Sequence, residues 1–101
     1  MDISVIIPLY NEEDSLPELH AWICRVMDAN HFSYEIIFVN DGSTDKSWEV
    51  IQHLSKEDKN VRGIKFRRNY GKSPALFCGF KAAQGLSLIH ISEPTRLGMI
   101  S

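Results

Sequence analysis

Hydrophobic positions along this chain alternate between two kinds of block. Ile3-Ser4-Val5-Ile6-Ile7-Pro8-Leu9 and Tyr34-Glu35-Ile36-Ile37-Phe38-Val39 are short, nearly continuous apolar runs rich in β-branched residues. That is the pattern of strands covered on both faces in a parallel sheet. Pro8 has no N–H to give and is expected to close the ladder of the first strand. Between the two runs, Leu16, Leu19, Ile23, Val26 and Met27 recur at helical spacing, which predicts a helix from about Leu16 to Ala29, ended by Asn30 and His31. Ser15-Leu16-Pro17-Glu18 reads as a capping box with proline in the first turn.

The second strand runs into Asn40-Asp41-Gly42-Ser43-Thr44-Asp45, a cluster of turn and capping residues. A second helix is expected after it, with Trp48, Ile51 and Leu54 on one face. Val61 to Phe66 reads as a third strand and Asn69-Tyr70-Gly71-Lys72 as a loop. Ser73-Pro74 opens a third helix carrying Leu76, Phe80 and Ala83 on one face, with Gly85 as the glycine just past its end. The order β-α-β-α-β-α predicts an α/β fold, a Rossmann-like parallel sheet with helices on its faces. Such sheets bind ligands beyond the carboxyl ends of their strands, which directs attention to the loops Pro8 to Asp14 and Asn40 to Asp45. Leu86 to Ile91 is a further strand-like run, broken by Ser92-Glu93-Pro94-Thr95-Arg96.

Composition narrows the class. At 101 residues the chain has room for one small domain, and 44% hydrophobic with 24% charged residues is ordinary for a globular protein. A net charge of −2, from 11 basic and 13 acidic residues, gives no general attraction to nucleic acid or to an anionic membrane. No stretch approaches the ~20 apolar residues that span a bilayer, and Met1-Asp2 lacks the basic start of a signal peptide. The chain therefore reads as cytoplasmic. Cys24 and Cys78 fall inside expected helices and read as buried thiols of a reducing compartment. No cysteine or histidine spacing resembles a zinc site, and His20, His31, His53 and His90 show no convergence. Glu35 and the charges from Lys56 to Lys59 read as solvent-facing.

Candidate chemistry concentrates in the two strand-end loops. Tyr10 beside Asn11 and Glu12 can hold a flat base and read its edge, although ordinary packing fits Tyr10 as well and Asn11 to Asp14 also suit a helix start. Asp41 at the end of a strand can accept from a base or ribose, or it can belong to an Asx turn feeding a helix. Gly71-Lys72-Ser73 is not a phosphate-binding P-loop, because that motif requires glycine where Phe66 stands, and the dinucleotide G-x-G-x-x-G fingerprint is absent. Arg67, Arg68 and Lys72 form a basic patch suited to a diphosphate or to solvent.

Three stretches, taken together, resemble family 2 glycosyltransferases, which have the GT-A fold. They are Val5-Ile6-Ile7-Pro8-Leu9-Tyr10-Asn11-Glu12-Glu13, Ile37 to Asp45, and Arg67-Arg68-Asn69-Tyr70-Gly71-Lys72-Ser73-Pro74-Ala75-Leu76 with Gly79-Phe80-Lys81-Ala82-Ala83. The third is similar to the polyprenyl-phosphate branch, which includes dolichyl-phosphate mannose synthase-like enzymes. The resemblance implies that Pro8, Tyr10 and Glu12 contact the nucleoside of a UDP- or GDP-sugar, that Asp41 takes the edge of the base, and that Lys72 lies near the nucleotide. It implies transfer of the sugar to a polyprenyl phosphate with inversion, and Mg²⁺ or Mn²⁺ held by an acidic motif on the next strand. At that place the chain has Ser92-Glu93-Pro94, which does not supply the motif. No metal is therefore expected on this chain, and no catalytic residue.

Leu86 to Arg96 resembles a translated transposase adapter from sequencing-library preparation. Residues 1–85 are thus expected to be the nucleotide-sugar-binding part of the domain, and 86–101 a non-native tail. The acceptor site and any membrane anchor would lie in absent sequence. Alternatives are a nucleotide-binding or inert fragment without catalysis, and a doubly wound signalling domain. The last suits an acidic strand end but leaves Pro8 to Glu12 unexplained.

Overall fold

β-branched runs with no room for hairpins produce a sheet whose strands all point one way. The computed structural model describes residues 1–91. Its elements are β1 (Ile3–Leu9), α1 (Leu16–Ala29), β2 (Tyr34–Asn40), α2 (Ser47–Glu57), β3 (Val61–Lys65), α3 (Lys72–Ala82) and β4 (Ser87–His90). The strand order is β3-β2-β1-β4, every pair parallel. The fold is thus α/β with a Rossmann-like parallel sheet. Leu86 to Ile91 does supply a fourth strand, which pairs with β1 over Ile3 to Ile6.

The two faces of the sheet differ. Ile3, Val5, Ile7 and Leu9 of β1, with Tyr34, Ile36 and Phe38 of β2, share a core with Leu16, Leu19, Ile23 and Met27 of α1 and with Ile51 and Leu54 of α2. The alternate residues Ile6, Ile37 and Val39 meet Ala75 of α3 on the opposite face, as the two-residue period of a strand demands. Of the expected α3 face, Leu76 and Ala83 pack against this cluster and Phe80 does not. Ala75 and Gly79 are the buried residues of α3, whereas Phe80 and Phe77 are exposed. A Cβ on Gly79 would come within 2.3 Å of the Ile6 side chain, so α3 lies on β1 through its smallest residues.

Pro8 does not close β1, which continues to Leu9 opposite Asn40. Leu9 gives its carbonyl to Asp41 N–H on the β2 side, while Ile6 gives its carbonyl to Ile91 N–H on the β4 side. Pro8 shares the parity of Ile6, so its missing N–H faces β4 just where β4 ends and breaks no bond to β2. The capping box is also absent. Ser15 donates its hydroxyl to the Glu12 carboxylate at 3.0 Å and makes no side-chain cap bond. Gly85 is not a helix-ending left-handed glycine. It marks a close approach, because a Cβ there would meet the Ile3–Ser4 backbone at 2.7 Å.

Glu35 reverses the surface assignment most clearly. It is 2% exposed, on the α3 face, with Ser4 beside it on β1. Its carboxylate accepts from Ser4 Oγ at 2.6 Å, Arg62 Nη1 at 2.7 Å and Gln84 N–H at 2.7 Å. Ser4 Oγ in turn accepts from Gly85 N–H, and Arg62 also donates to the Ala82 carbonyl. One carboxylate therefore joins three strands to the end of α3. Burial alone would raise its pKa, but the bonds from Ser4, Gln84 and Arg62 outweigh burial and hold it below the ordinary glutamate value.

Replacing Glu35 by Ala strands these donors, and Arg62 keeps partial access to water. The expected loss in urea unfolding is about 1.5–3 kcal/mol. Because the folded pKa is lowered, the stabilisation from ionised Glu35 is complete above the unfolded value of about 4.3. It fades as pH falls through the folded value. Glu35→Gln should flatten the acid side of the stability–pH curve; an unchanged slope would refute the assignment.

Candidate functional site

Parallel strands bring three loops to the carboxyl edge of the sheet: residues 10–15 after β1, 41–46 after β2 and 66–71 after β3. β1 sits between β2 and β4, where the chain order reverses direction across the sheet. This is the place at which open parallel sheets form a ligand crevice.

Asn11 joins the first loop to the second. It adopts a left-handed φ of 53°, a conformation that asparagine tolerates better than most residues. Its N–H donates to Ser43 Oγ at 2.9 Å, and its side-chain carbonyl accepts from Thr44 N–H at 2.8 Å and from Asp45 N–H at 3.3 Å. Glu12 N–H donates to Ser47 Oγ at 2.9 Å and Glu13 N–H to Asp45 at 3.3 Å. Asp45 also accepts from Ser47 N–H. Burial would raise the Asp45 pKa, but the Ser47 and Glu13 donors outweigh that and lower it. Asn11 to Glu13 do more than start a helix, since their backbone N–H groups are held by Ser43, Ser47 and Asp45.

Asp41 joins the second loop to the third. It is 5% exposed. Its two carboxylate oxygens accept from Tyr70 N–H at 2.8 Å and Gly71 N–H at 3.0 Å, and its carbonyl accepts from Asn69 Nδ2. The local turn belongs to Asn40, whose side chain accepts from Ser43 N–H at 3.1 Å. Gly42 completes the junction at φ 75°, where a Cβ would fall 2.1 Å from the Arg68 carbonyl carbon.

The expected site residues fall into two groups. Tyr10 projects beyond β1 with 46% of its surface exposed, beside the Glu12 loop. Pro8 is buried within β1. Asp41 is brought to the same edge, but its carboxylate is engaged by backbone. Lys72 is the exposed first residue of α3, one position after the Gly71 that Asp41 holds. Arg68 donates to the Tyr70 hydroxyl and lies 5.3 Å from its ring centroid. The sequence points to Asn11 as a ligand-reading group and to Ser43 and Thr44 as turn residues, whereas the structure makes them partners that join the two loops; Ser47 has no signal in the sequence.

Ser92-Glu93-Pro94 lies outside the described residues. Among those described, the only group of three or more His, Cys, Asp or Glu side chains converging on one point is His20, Cys24 and Asp58, away from these loops. Cys24 and Cys78 are half-buried free thiols, and no described helix is long and apolar enough to cross a membrane.

The glycosyl transferase family 2 model matches residues 4–91, through the end of β4. The chain is 37% identical over 91 residues to a bactoprenol glucosyl transferase of Shigella phage SfV, covering 90% of this chain and 30% of that protein. Against a prophage bactoprenol glucosyl transferase homolog of Escherichia coli K12 the figures are also 37%, 90% and 30%. The chain thus spans under a third of the length of these curated relatives. Staphylococcus aureus TarS 1–349 in complex with UDP superposes with a TM-score of 0.78 at 23% identity, over 93% of this chain and 28% of that one. The mannosyltransferase PcManGT of Pyrobaculum calidifontis, with GDP-Man and Mn²⁺, gives 0.68 at 22% identity, over 81% and 24%. These two likenesses establish the fold.

Asp41→Asn replaces one of two acceptor oxygens by a donor facing an N–H. The amide hydrogens of Tyr70 and Gly71 should then exchange faster than in the parent chain, with about 1–3 kcal/mol of stability lost. Unchanged protection at both amides would show that Asp41 does not hold this loop.

Proposed function

The chain belongs to glycosyl transferase family 2, and on that premise we propose that it is the nucleotide-sugar-binding part of a protein that transfers a sugar from a UDP- or GDP-sugar to a polyprenyl phosphate. The observation that carries this reading is the joining of three strand-end loops along the carboxyl edge of the sheet, with an exposed aromatic, Tyr10, on the loop after β1 beside which the strand order reverses. Relatives named for glucosyl transfer to bactoprenol support the acceptor class. The nucleotides named with the structural neighbours, UDP and GDP-Man, support the donor class. Family membership favours this reading over a signalling domain.

In this reading Tyr10 stacks on the base, and the Glu12 loop with buried Pro8 beneath it shapes the nucleoside pocket. Asp41 acts mainly by fixing the 66–71 loop, and so by placing Lys72 toward the diphosphate. During transfer an acceptor phosphate oxygen forms a bond to the anomeric carbon as the bond to the leaving diphosphate breaks, with inversion. Ser92-Glu93-Pro94 stands where the resemblance implies the acidic motif for Mg²⁺ or Mn²⁺, and on that ground this chain is assigned binding without turnover. Work at the cytoplasmic face of a membrane would follow from a polyprenyl acceptor.

The stretch from residue 86 is proposed as non-native in origin. All four β4 side chains are exposed, unlike the fully buried β1 and β2. The family match nevertheless includes residues 86–91. Coding sequence that continues uninterrupted through residues 86–96 in the source genome would overturn this origin.

Titration of the chain with UDP and with GDP should show binding of one in preference to the other. Tyr10→Ala should weaken it by about 1 kcal/mol or more, roughly fivefold. Failure to bind either nucleotide would overturn the site. Sugar transfer by the chain itself, with Mn²⁺ and a polyprenyl phosphate, would overturn the assignment of binding alone.

A further inference from the structure

His20 and Cys24 lie four residues apart on α1 and so share one helix face. Asp58, the residue that ends α2, reaches the same point. His20 Nε2 is 2.9 Å from Asp58 Oδ2, Cys24 Sγ is 3.5 Å from the same nitrogen, and Cys24 Sγ is 3.7 Å from the same oxygen. All three side chains are partly accessible to solvent.

Both partners of His20 meet a single ring nitrogen. A nucleophile–base–acid relay uses the two ring nitrogens separately, so this cluster is not one. It is a triangle of one nitrogen, one sulfur and one oxygen around a common centre. A tetrahedral zinc ion, with bonds of about 2.0–2.3 Å, spaces such atoms about 3.3–3.6 Å apart. Two edges of the triangle already have nearly that length. The third is shorter because a hydrogen bond now occupies it. Asp58 is oriented from behind, since its other oxygen accepts from Asn60 N–H at 2.9 Å, the kind of support that fixes metal ligands.

We propose that His20, Cys24 and Asp58 form a binding site for a zinc-class divalent cation, completed by water and separate from the nucleotide loops. Tyr34 begins β2 and Asp58 precedes β3, so the cluster lies toward the amino-terminal edge of the sheet, opposite the nucleotide crevice. The ion would clamp α1 to the α2–β3 turn. Its arrival displaces the Cys24 thiol proton to solvent, breaks the His20–Asp58 hydrogen bond as the neutral ring's proton passes from Nε2 to Nδ1, and forms metal–sulfur, metal–nitrogen and metal–oxygen bonds, with no redox change. Burial, followed by the neighbouring charges of Asp58 and Asp28, raises the Cys24 pKa against a bond from Tyr34 that lowers it. Coordination through the thiolate makes binding release a proton.

The test is titration of the whole chain with Co²⁺, in a thiol-free reductant, followed by the thiolate-to-cobalt charge-transfer band in the near ultraviolet. One equivalent should develop the band, and Zn²⁺ should abolish it and raise the melting temperature. Cys24→Ser should lose the band and Cys78→Ser should keep it. His20→Asn and Asp58→Asn, which leave the thiol in place, should weaken affinity by at least about tenfold. No band in a chain shown folded by circular dichroism would overturn the proposal. So would a band that survives Cys24→Ser, or affinity unmoved in both the His20 and Asp58 variants.

Discussion

Parallel strands cannot be joined by hairpins, so each connection in this chain recrosses the sheet before the next strand begins. With every crossover right-handed, the two steps from β1 to β3 put α1 and α2 on one face, the return from β3 to β4 puts α3 on the other, and every strand end comes back to one edge. This arrangement also explains why β1 and β2 are buried throughout. Each is flanked by strands and covered above and below, with apolar side chains on both parities of its sequence.

The thinner face relies on chemistry as much as on volume. Ile6, Ile37, Val39 and Ala75 form a small apolar contact, and the Ser4–Glu35–Arg62 network carries the rest of that side. A buried carboxylate is tolerated there because donors from β1, β3 and the segment after α3 converge on it. At the opposite edge the same economy recurs: Asp41 and Asn11 are polar residues whose bonds go to backbone from distant parts of the chain.

The fold was largely legible because it rests on local periodicities. The helix from Leu16 to Ala29 was read to the residue, and the strands from their continuous apolar runs. The loops at the carboxyl edge followed from topology. What escaped depends on contacts across long sequence separations. Glu35 reads as a surface residue in any local window; only pairing with Ser4 and the approach of the Arg62 side chain from β3 reveal its acceptor role. Helical spacing groups Phe80 with Leu76 and Ala83, but α3 meets the sheet most closely through Ala75 and Gly79, which leaves Phe80 exposed. Asp41 was placed at the right edge, but nothing local reveals that Tyr70 and Gly71 would claim its oxygens. His20 and Cys24 have helical spacing in plain view, and only folding adds Asp58.

Asn11 carries a consequence beyond geometry. Its side chain and backbone tie the loop after β1 to the loop after β2 before any ligand is present. The freedom those segments would otherwise surrender on meeting a ligand is given up when the chain folds. A guest at this edge then meets a surface already set, and loses chiefly its own translation and rotation. Loosening Asn11 would move that ordering cost from the folding equilibrium to the binding equilibrium, so a change in folding stability there would be read as a change in affinity.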